Sequence, residues 1–265
     1  MNSIKKAVIL ARGLGTRMRA KTDESNLNPE QKRFADAGIK TLVPVFEGKK
    51  LLDFIFENLI SAGFSQLCLV IGAEHQAIRD FCAAKPFDIS FAMQEKPLGT
   101  ADAVLAAKDF AKDDLFLVVN SDNLYPVGDL KKLNELNEAG LIGFARKGLI
   151  EKSNIPSEKI EKFAVLEFDE SKHLTKIIEK PGTVAEDSFV SMNAWIFSPK
   201  IFEACERIEI SPRGEYELTS AVMFAVENLN ERFKIIKSEN GVLDLSSRAD
   251  IESVAEYLRK LKIKS

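Results

Sequence analysis

Two glycines and an arginine set the first chemical expectation for this chain. The run Ala7-Val-Ile-Leu10 breaks into Ala11-Arg12-Gly13-Leu14-Gly15-Thr16-Arg17-Met18. A β-branched apolar run that ends in glycines reads as a buried strand stopping in a tight loop, whose backbone N–H groups can converge on a phosphate. Arg17, at the end of the loop, adds a fixed positive fork suited to phosphate oxygens. The expected ligand is therefore rich in phosphate. An NTPase phosphate loop would need Gly-Lys-Ser/Thr after a four-residue spacer, which Gly13-Leu-Gly-Thr-Arg-Met does not supply. A dinucleotide fingerprint starting at Gly13 would want Gly or Ala where Met18 stands.

Three later segments carry chemistry of their own. Asp122, in Asn120-Ser-Asp-Asn123, follows the apolar run Leu115–Val119 and puts a carboxylate at the end of a buried strand. Such a group is well placed to hold Mg²⁺, a hard cation that takes oxygen ligands; capping the next turn is the other common use of an Asp. Gln94 opens Gln94-Glu-Lys-Pro-Leu-Gly99-Thr100-Ala-Asp-Ala103. Its amide can both donate to and accept from a pyrimidine edge, and Gly99 lets a base approach the backbone, although Gly-Thr would equally start a capped helix. Lys40 stands at the mouth of the apolar Lys40-Thr-Leu-Val-Pro-Val45, where the plainer alternative is one solvated charge among many.

The elements that must position these groups follow from periodicity. Leu51, Ile55 and Leu59 with Leu52, Phe56 and Ile60 form rows at helical spacing, ended near Gly63, and Leu67–Ile71 follows as a continuous apolar strand. The alternation continues with a helix over 76–84, a strand over 87–93, a helix over 100–110, the strand 115–119, a helix over 131–137 and a strand over 141–145. Asn28 to Gly38 predicts a short capped helix with Pro29 in its first turn. Alternating apolar strands and helices imply a mainly parallel sheet covered on both faces, with ligands at the carboxyl ends of its strands. Beyond residue 146 the period changes, and 162–168 with 174–178 reads as a hairpin with a solvated His173 in its turn. His75 reads as a cap or surface residue. Ile251, Val254, Leu258 and Leu261 give a last helix an apolar face.

Composition narrows the class. The chain has 265 residues, 45% of them apolar, enough for one full α/β core. Its net charge of −3, mixed along the chain, gives no footprint for nucleic acid. No apolar run reaches membrane-spanning length and no apolar signal core precedes the first strand, so the expected location is cytoplasmic. Three cysteines without metal spacing indicate neither a disulfide framework nor a zinc site.

Taken in order, these segments resemble the sugar-1-phosphate nucleotidyltransferases, including the glucose-1-phosphate thymidylyltransferases. Gly-x-Gly-Thr-Arg-Met after Leu10-Ala11, the Lys40 segment, Pro97-Leu-Gly-Thr-Ala101, Asp122, Glu179-Lys180-Pro181, the strand bearing Asn193, and Gly214-Glu-Tyr-Glu217-Leu-Thr219 match its motifs. The resemblance implies an α/β fold: a Rossmann-like mixed, mainly parallel sheet with helices on both faces. It implies one domain, with a nucleotide-binding half over about 1–145, a sugar-binding half over about 146–245 and a C-terminal helix over about 247–263. No hexapeptide repeats of a second acyltransferase domain are seen. The implied reaction joins a sugar-1-phosphate to a nucleoside triphosphate, giving a nucleotide-sugar and pyrophosphate with Mg²⁺. Arg17, Lys40 and Lys180 are the implied catalytic groups, and Leu10, Ala11, Gly13, Gly15, Thr16, Gln94, Gly99 and Thr100 the nucleotide-binding ones. Glu179, Asn193 and Glu217 are implied to meet the sugar, and Asp122 and Asp244 to hold the metal. A homo-oligomer is left open; nucleic acid and membrane are not expected partners.

The departures from the family pattern are Arg12 in place of a small loop residue, an extra segment from Arg19 to Gly38, and Gly241-Val-Leu-Asp244, which lacks the usual Trp and Gly-Thr. They leave a second expectation standing, a nucleotide-sugar sensor on the same fold that binds without turnover.

Overall fold

The computed structural model describes residues 3–20 and 27–264. The first apolar run forms β1 (Lys6–Leu10), in which Ala7 and Ile9 enter one apolar cluster and Val8 another, all three fully buried. A strand buried on both faces belongs at the centre of a sheet. After the glycine loop come a single-turn helix α1 (Thr16–Arg19) and α2 (Pro29–Ala37). The predicted cap is present: the Asn28 side chain accepts from Gln31 N–H at 2.9 Å, Gln31 Oε1 accepts from Asn28 N–H at 3.0 Å, and Gly38 ends the helix at φ 74°. Residues 21–26 of the extra segment lie outside the described residues.

A short ribbon of β2 (Pro44–Phe46) and β3 (Lys49–Lys50) leads into α3 (Leu51–Ser61). Then β4 (Gln66–Ile71), α4 (Gln76–Ala83), β5 (Asp88–Met93), α5 (Thr100–Ala106), α6 (Lys108–Ala111) and β6 (Phe116–Asn120) alternate as expected, except that a turn at Ala107 splits the helix read over 100–110. The second half contains β7 (Asn123–Leu124), α7 (Val127–Asn134), β8 (Gly140–Ala145), α8 (Arg146–Lys152), α9 (Ser157–Ile160), β9 (Val165–Phe168) and β10 (Leu174–Ile178). It continues with β11 (Phe189–Phe197), α10 (Lys200–Arg207), α11 (Leu218–Asn228), β12 (Lys234–Ser238), β13 (Leu243–Asp244) and α12 (Asp250–Lys264).

The sheet is mixed. β5, β4, β1 and β6 run parallel side by side, with Leu10 level with Val70 and Asn120, so their carboxyl ends share one edge. β11 then pairs antiparallel with β6, β8 and β9, and β12 lies parallel to β8. Pairing of β11 with β6 joins the two halves into one sheet. Helices α3, α7 and α12 pack on one face and α5, α10 and α11 on the other. Among the described residues no helix is long and apolar enough to cross a membrane.

Candidate active site

A cavity of about 260 Å³ opens over the shared carboxyl edge of the parallel strands. Leu10, Ala11 and Gly13 line it from the loop, Gln94, Gly99 and Thr100 from beyond β5, and Lys40 and Asp122 from the opposite wall. Gly15, Thr16 and Arg17 do not. A Cβ on Gly13 would meet nothing within 4 Å, so that position is open toward the cavity, whereas Gly15 sits at φ 61° with its Cβ position 2.3 Å from Gly38 O. Gly15 is thus required by the fold, since only glycine tolerates both the left-handed backbone and that approach. The contact also fixes the end of the extra segment against the loop, helped by Arg19 Nη2 donating to Ala37 O at 3.1 Å. Lys40 follows directly, in a 3₁₀ turn over Lys40–Leu42.

Gly99 has a second reason to be glycine. At φ 125° its Cβ would stand 2.4 Å from Tyr216 O, so close passage of the 216 backbone by itself requires it. Tyr216 N–H donates to Leu98 O at 2.7 Å, and Thr100 Oγ1 accepts from Leu218 N–H at 3.0 Å. This binds the start of α5 to the start of α11. Gln94 Nε2 donates to Gly99 O at 3.1 Å and to Asp102 Oδ2 at 2.7 Å. Both partners are acceptors, which sets the orientation of the amide and leaves its carbonyl oxygen as the group available to a ligand.

Two residues that line this cavity each carry a buried polar atom with no partner, Arg12 Nη1 and Thr41 Oγ1. Orphaned buried donors are uncommon and costly, so two on residues of one cavity single out that wall. The Arg12 side chain is only 9% exposed and reaches Glu74 through long contacts of 3.4–3.5 Å. His75, at the cap position of α4, accepts from Gly72 N–H at 3.0 Å through Nδ1. Burial foremost, and then the guanidinium groups of Arg12, Arg79 and Arg19, lower the imidazole pKa against the opposing pull of Glu74.

A second cavity, of about 280 Å³, adjoins the first through Asn120 and Asp122. Arg17, Asn193 and Asp244 line it, so the structure brings both candidate metal-holding carboxylates to one space. The join is architectural: β7 and β13 pair with Asp244 opposite Asn123, and Leu245 N–H donates to Asp122 O at 2.8 Å. Each carboxylate is matched to a lysine. Lys40 Nζ contacts Asp122 Oδ2 at 2.9 Å, and Lys159 Nζ pairs with Asp244 Oδ2. Among the described residues no group of three or more His, Cys, Asp and Glu forms a metal cage. Two carboxylates with space for water still suit Mg²⁺, which takes one or two carboxylates and keeps several waters. Behind them Tyr125 Oη donates to Met192 O at 2.6 Å, and full burial, then the two nearby carboxylates, hold its pKa well above the ordinary value.

Asn193 sits in β11 at φ 58°, within an irregularity between Ser191 and Trp195, and its Oδ1 accepts from Trp195 Nε1 at 3.4 Å. A left-handed non-glycine residue inside a strand is a strained conformation of the kind found at functional sites. Glu179, Lys180 and Glu217 line neither cavity. They gather instead around Arg213, whose guanidinium meets both Glu217 oxygens, one of them at 2.9 Å. That fork foremost holds the Glu217 carboxyl below its ordinary range, with Lys180 adding to it.

Sequence reasoning missed Lys159, which lines the second cavity, and Arg248, which lines neither. Lys159 lies on a four-residue helix, too short for a periodic signal, and nothing in the sequence around Arg248 singles it out. Arg248 is buried; its Nε donates to Met18 O at 2.8 Å and its Nη2 meets Asp36 Oδ1 at 2.5 Å, fastening the start of α12 to the turns that carry the glycine loop and α2. His173 is also corrected. It is 9% exposed rather than solvated, with Nδ1 2.8 Å from Arg232 Nη2 and Nε2 3.3 Å from Glu138.

Comparison with known proteins agrees with this layout. The nucleotidyl transferase family profile matches residues 6–260. The UTP–glucose-1-phosphate uridylyltransferase AglF of Haloferax volcanii is 26% identical over 258 residues, 96% of each chain. A low-salt glycan biosynthesis nucleotidyltransferase of the same organism is 31% identical over 230 residues, 84% of this chain and 57% of that one. The glucose-1-phosphate thymidylyltransferase of Streptomyces antibioticus is 33% identical over 227 residues, again 84% of this chain and 58% of that one. The chain thus spans about half the length of several curated relatives it matches, 48% for the bifunctional protein GlmU of Methanococcus vannielii. In fold it is similar to a UDP-glucose pyrophosphorylase complexed with UDP-glucose, with a TM-score of 0.74 at 18% identity, covering 97% of this chain and 99% of that one. The chain belongs to the sugar-1-phosphate nucleotidyl transferase family.

Proposed function

We propose that this cleft transfers a nucleotidyl group from a nucleoside triphosphate to a sugar-1-phosphate, releasing pyrophosphate. The observation that carries the reading is the seam: two cavities, one floored by the glycine loop and Gln94, the other by Arg17, Asn193 and Asp244, share the carboxylate of Asp122. A phosphate oxygen of the sugar-1-phosphate attacks the α-phosphorus, and the bond to the β-phosphate oxygen breaks. The attacking group is already an anion, so no protein base is needed; positioning and charge neutralisation do the work. Arg17 and Lys40 neutralise the triphosphate and the departing pyrophosphate. Asn193 orients the sugar-1-phosphate from the second cavity, and Lys180, Glu179 and Glu217, which line neither cavity, are assigned to its phosphate and hydroxyls by the family resemblance alone. Mg²⁺, held by Asp122 and Asp244, would supply further neutralisation of phosphate oxygens when bound.

The fixed orientation of Gln94 favours a base that offers a ring N–H to its carbonyl oxygen, as uracil and thymine do. The test is pyrophosphate release with Mg²⁺ across a grid of nucleoside triphosphates and sugar-1-phosphates. Release with one pair supports the transferase and names both substrates. Nucleotide binding with silence throughout supports the sensor, the reading favoured by one observation, the occupation of Asp244 by Lys159.

A further inference from the structure

The second cavity holds more positive charge than the reaction above employs. Lys159 and Lys162 line it together with Arg17. Lys159 sits on a metal-candidate carboxylate that is already crowded. Asp244 Oδ2 accepts from Lys159 Nζ and from Ser246 Oγ, the latter at 2.7 Å, while Oδ1 accepts from Asn123 Nδ2 at 3.0 Å. A carboxylate offers about four lone-pair sites, so an incoming cation finds most of them taken. The Asp244 side chain is 8% exposed and Lys159 21%, so the pair is poorly screened by solvent. A divalent cation and an ammonium on one oxygen repel each other strongly in such surroundings. The neutral donors Ser246 and Asn123 can remain beside a metal; the ammonium cannot. Lysine is also the mobile member, a point charge on a flexible four-carbon stem.

We infer that Lys159 is the resident counter-ion of Asp244, exchanged for a divalent cation when one binds. This rests on the reading of Asp122 and Asp244 as a metal-holding pair. The exchange keeps Asp244 paired whether or not metal is present, which avoids the cost of a buried lone carboxylate. It also releases an ammonium into the cavity that already holds Arg17 and Lys162, where a phosphate anion would gain from it. Lys159 is therefore a positioning residue whose partner changes with the metal.

The experiment is a Mn²⁺ titration of the full chain, followed by the paramagnetic resonance signal of the free ion. Lys159→Met removes the charge and keeps the stem; Lys159→Arg keeps the charge. Lys159→Met is expected to bind Mn²⁺ about 10-fold more tightly than the parent, and Lys159→Arg to stay close to it. Thermal unfolding without metal should show Lys159→Met folded but melting lower, and Mn²⁺ should raise its melting temperature more than the parent's. A purely structural lysine would not tighten metal binding when removed. Equal or weaker Mn²⁺ binding by folded Lys159→Met overturns the exchange while leaving the metal pair intact. Absence of Mn²⁺ binding in both the parent and Lys159→Met overturns the metal pair and the exchange together.

Discussion

On one side of the cleft the glycine loop, Gln94 and Asp122 stand immediately past the ends of β1, β5 and β6; on the other, proposed to take the sugar, the candidate groups are held by side-chain pairs. A strand end buried in a parallel ladder cannot shift without breaking the ladder's hydrogen bonds, so the first arrangement is rigid before any ligand arrives. Arg213–Glu217 joins a half-exposed guanidinium to a carboxylate that is only 13% exposed. The second arrangement therefore depends on which partner each side chain holds, and it changes when a partner is exchanged. The contrast teaches how the two sides would differ under the proposed reaction: one presents groups fixed by the backbone frame, the other groups fixed by side-chain pairs.

Asp122→Asn strikes the seam between the two regions and should have the largest effect. Pyrophosphate release is expected to fall by about 10³-fold, in line with the loss of a key electrostatic group, while nucleotide affinity changes only a few-fold. A comparable loss of affinity would instead place Asp122 in binding, as the sensor reading requires. Gly15→Ala tests the rigidity of the strand-end side. Its left-handed backbone and the Gly38 contact should make the change cost about 1–3 kcal/mol in unfolding and weaken nucleoside triphosphate binding. Unchanged binding would show that the loop is less constrained than its packing indicates.

Smaller effects are expected on the other side. Arg213→Met should raise the KM for sugar-1-phosphate about 10-fold and leave that for the nucleotide unchanged. Pairing lowers the folded pKa of Glu217 below its unfolded value, so its stabilisation is present above the ordinary carboxylate pKa and is lost as pH falls through the folded value. The melting difference between parent and Arg213→Met should accordingly close on acidification. The smallest effect concerns His75, whose neutral form is favoured in the folded chain. Stability should fall as pH drops below about 6.5, where the unfolded imidazole takes up a proton more readily. His75→Gln, which can still accept from Gly72, should flatten that limb in melting curves between pH 7.5 and 5.5.

The same contrast governs how much was legible in the sequence. Groups attached to strand ends were readable because an apolar run announces its strand and the residues after it inherit a known edge. The Asn28–Gln31 cap was readable because its chemistry is local. Lys159, Arg248 and His173 were not, because their roles arise from contacts between distant parts of the chain. β12 was missed for a related reason: Lys234-Ile-Ile-Lys-Ser238 has too few apolar residues to signal a strand, and only pairing with β8 makes it one. The packing of Gly99 against the Tyr216 backbone was not legible either, because that contact too joins distant parts of the chain.

Arg248 carries a consequence for how the protein comes into being. Its guanidinium holds Met18 and Asp36, and its neighbour Asp244 completes the second cavity. A chain emerging from the ribosome as far as residue 240 already possesses the whole parallel half of the sheet, yet lacks the clasp on its own first loop. The glycine loop is therefore fastened by a residue 230 positions further along the chain, so the parallel half cannot complete the first cavity's rim on its own.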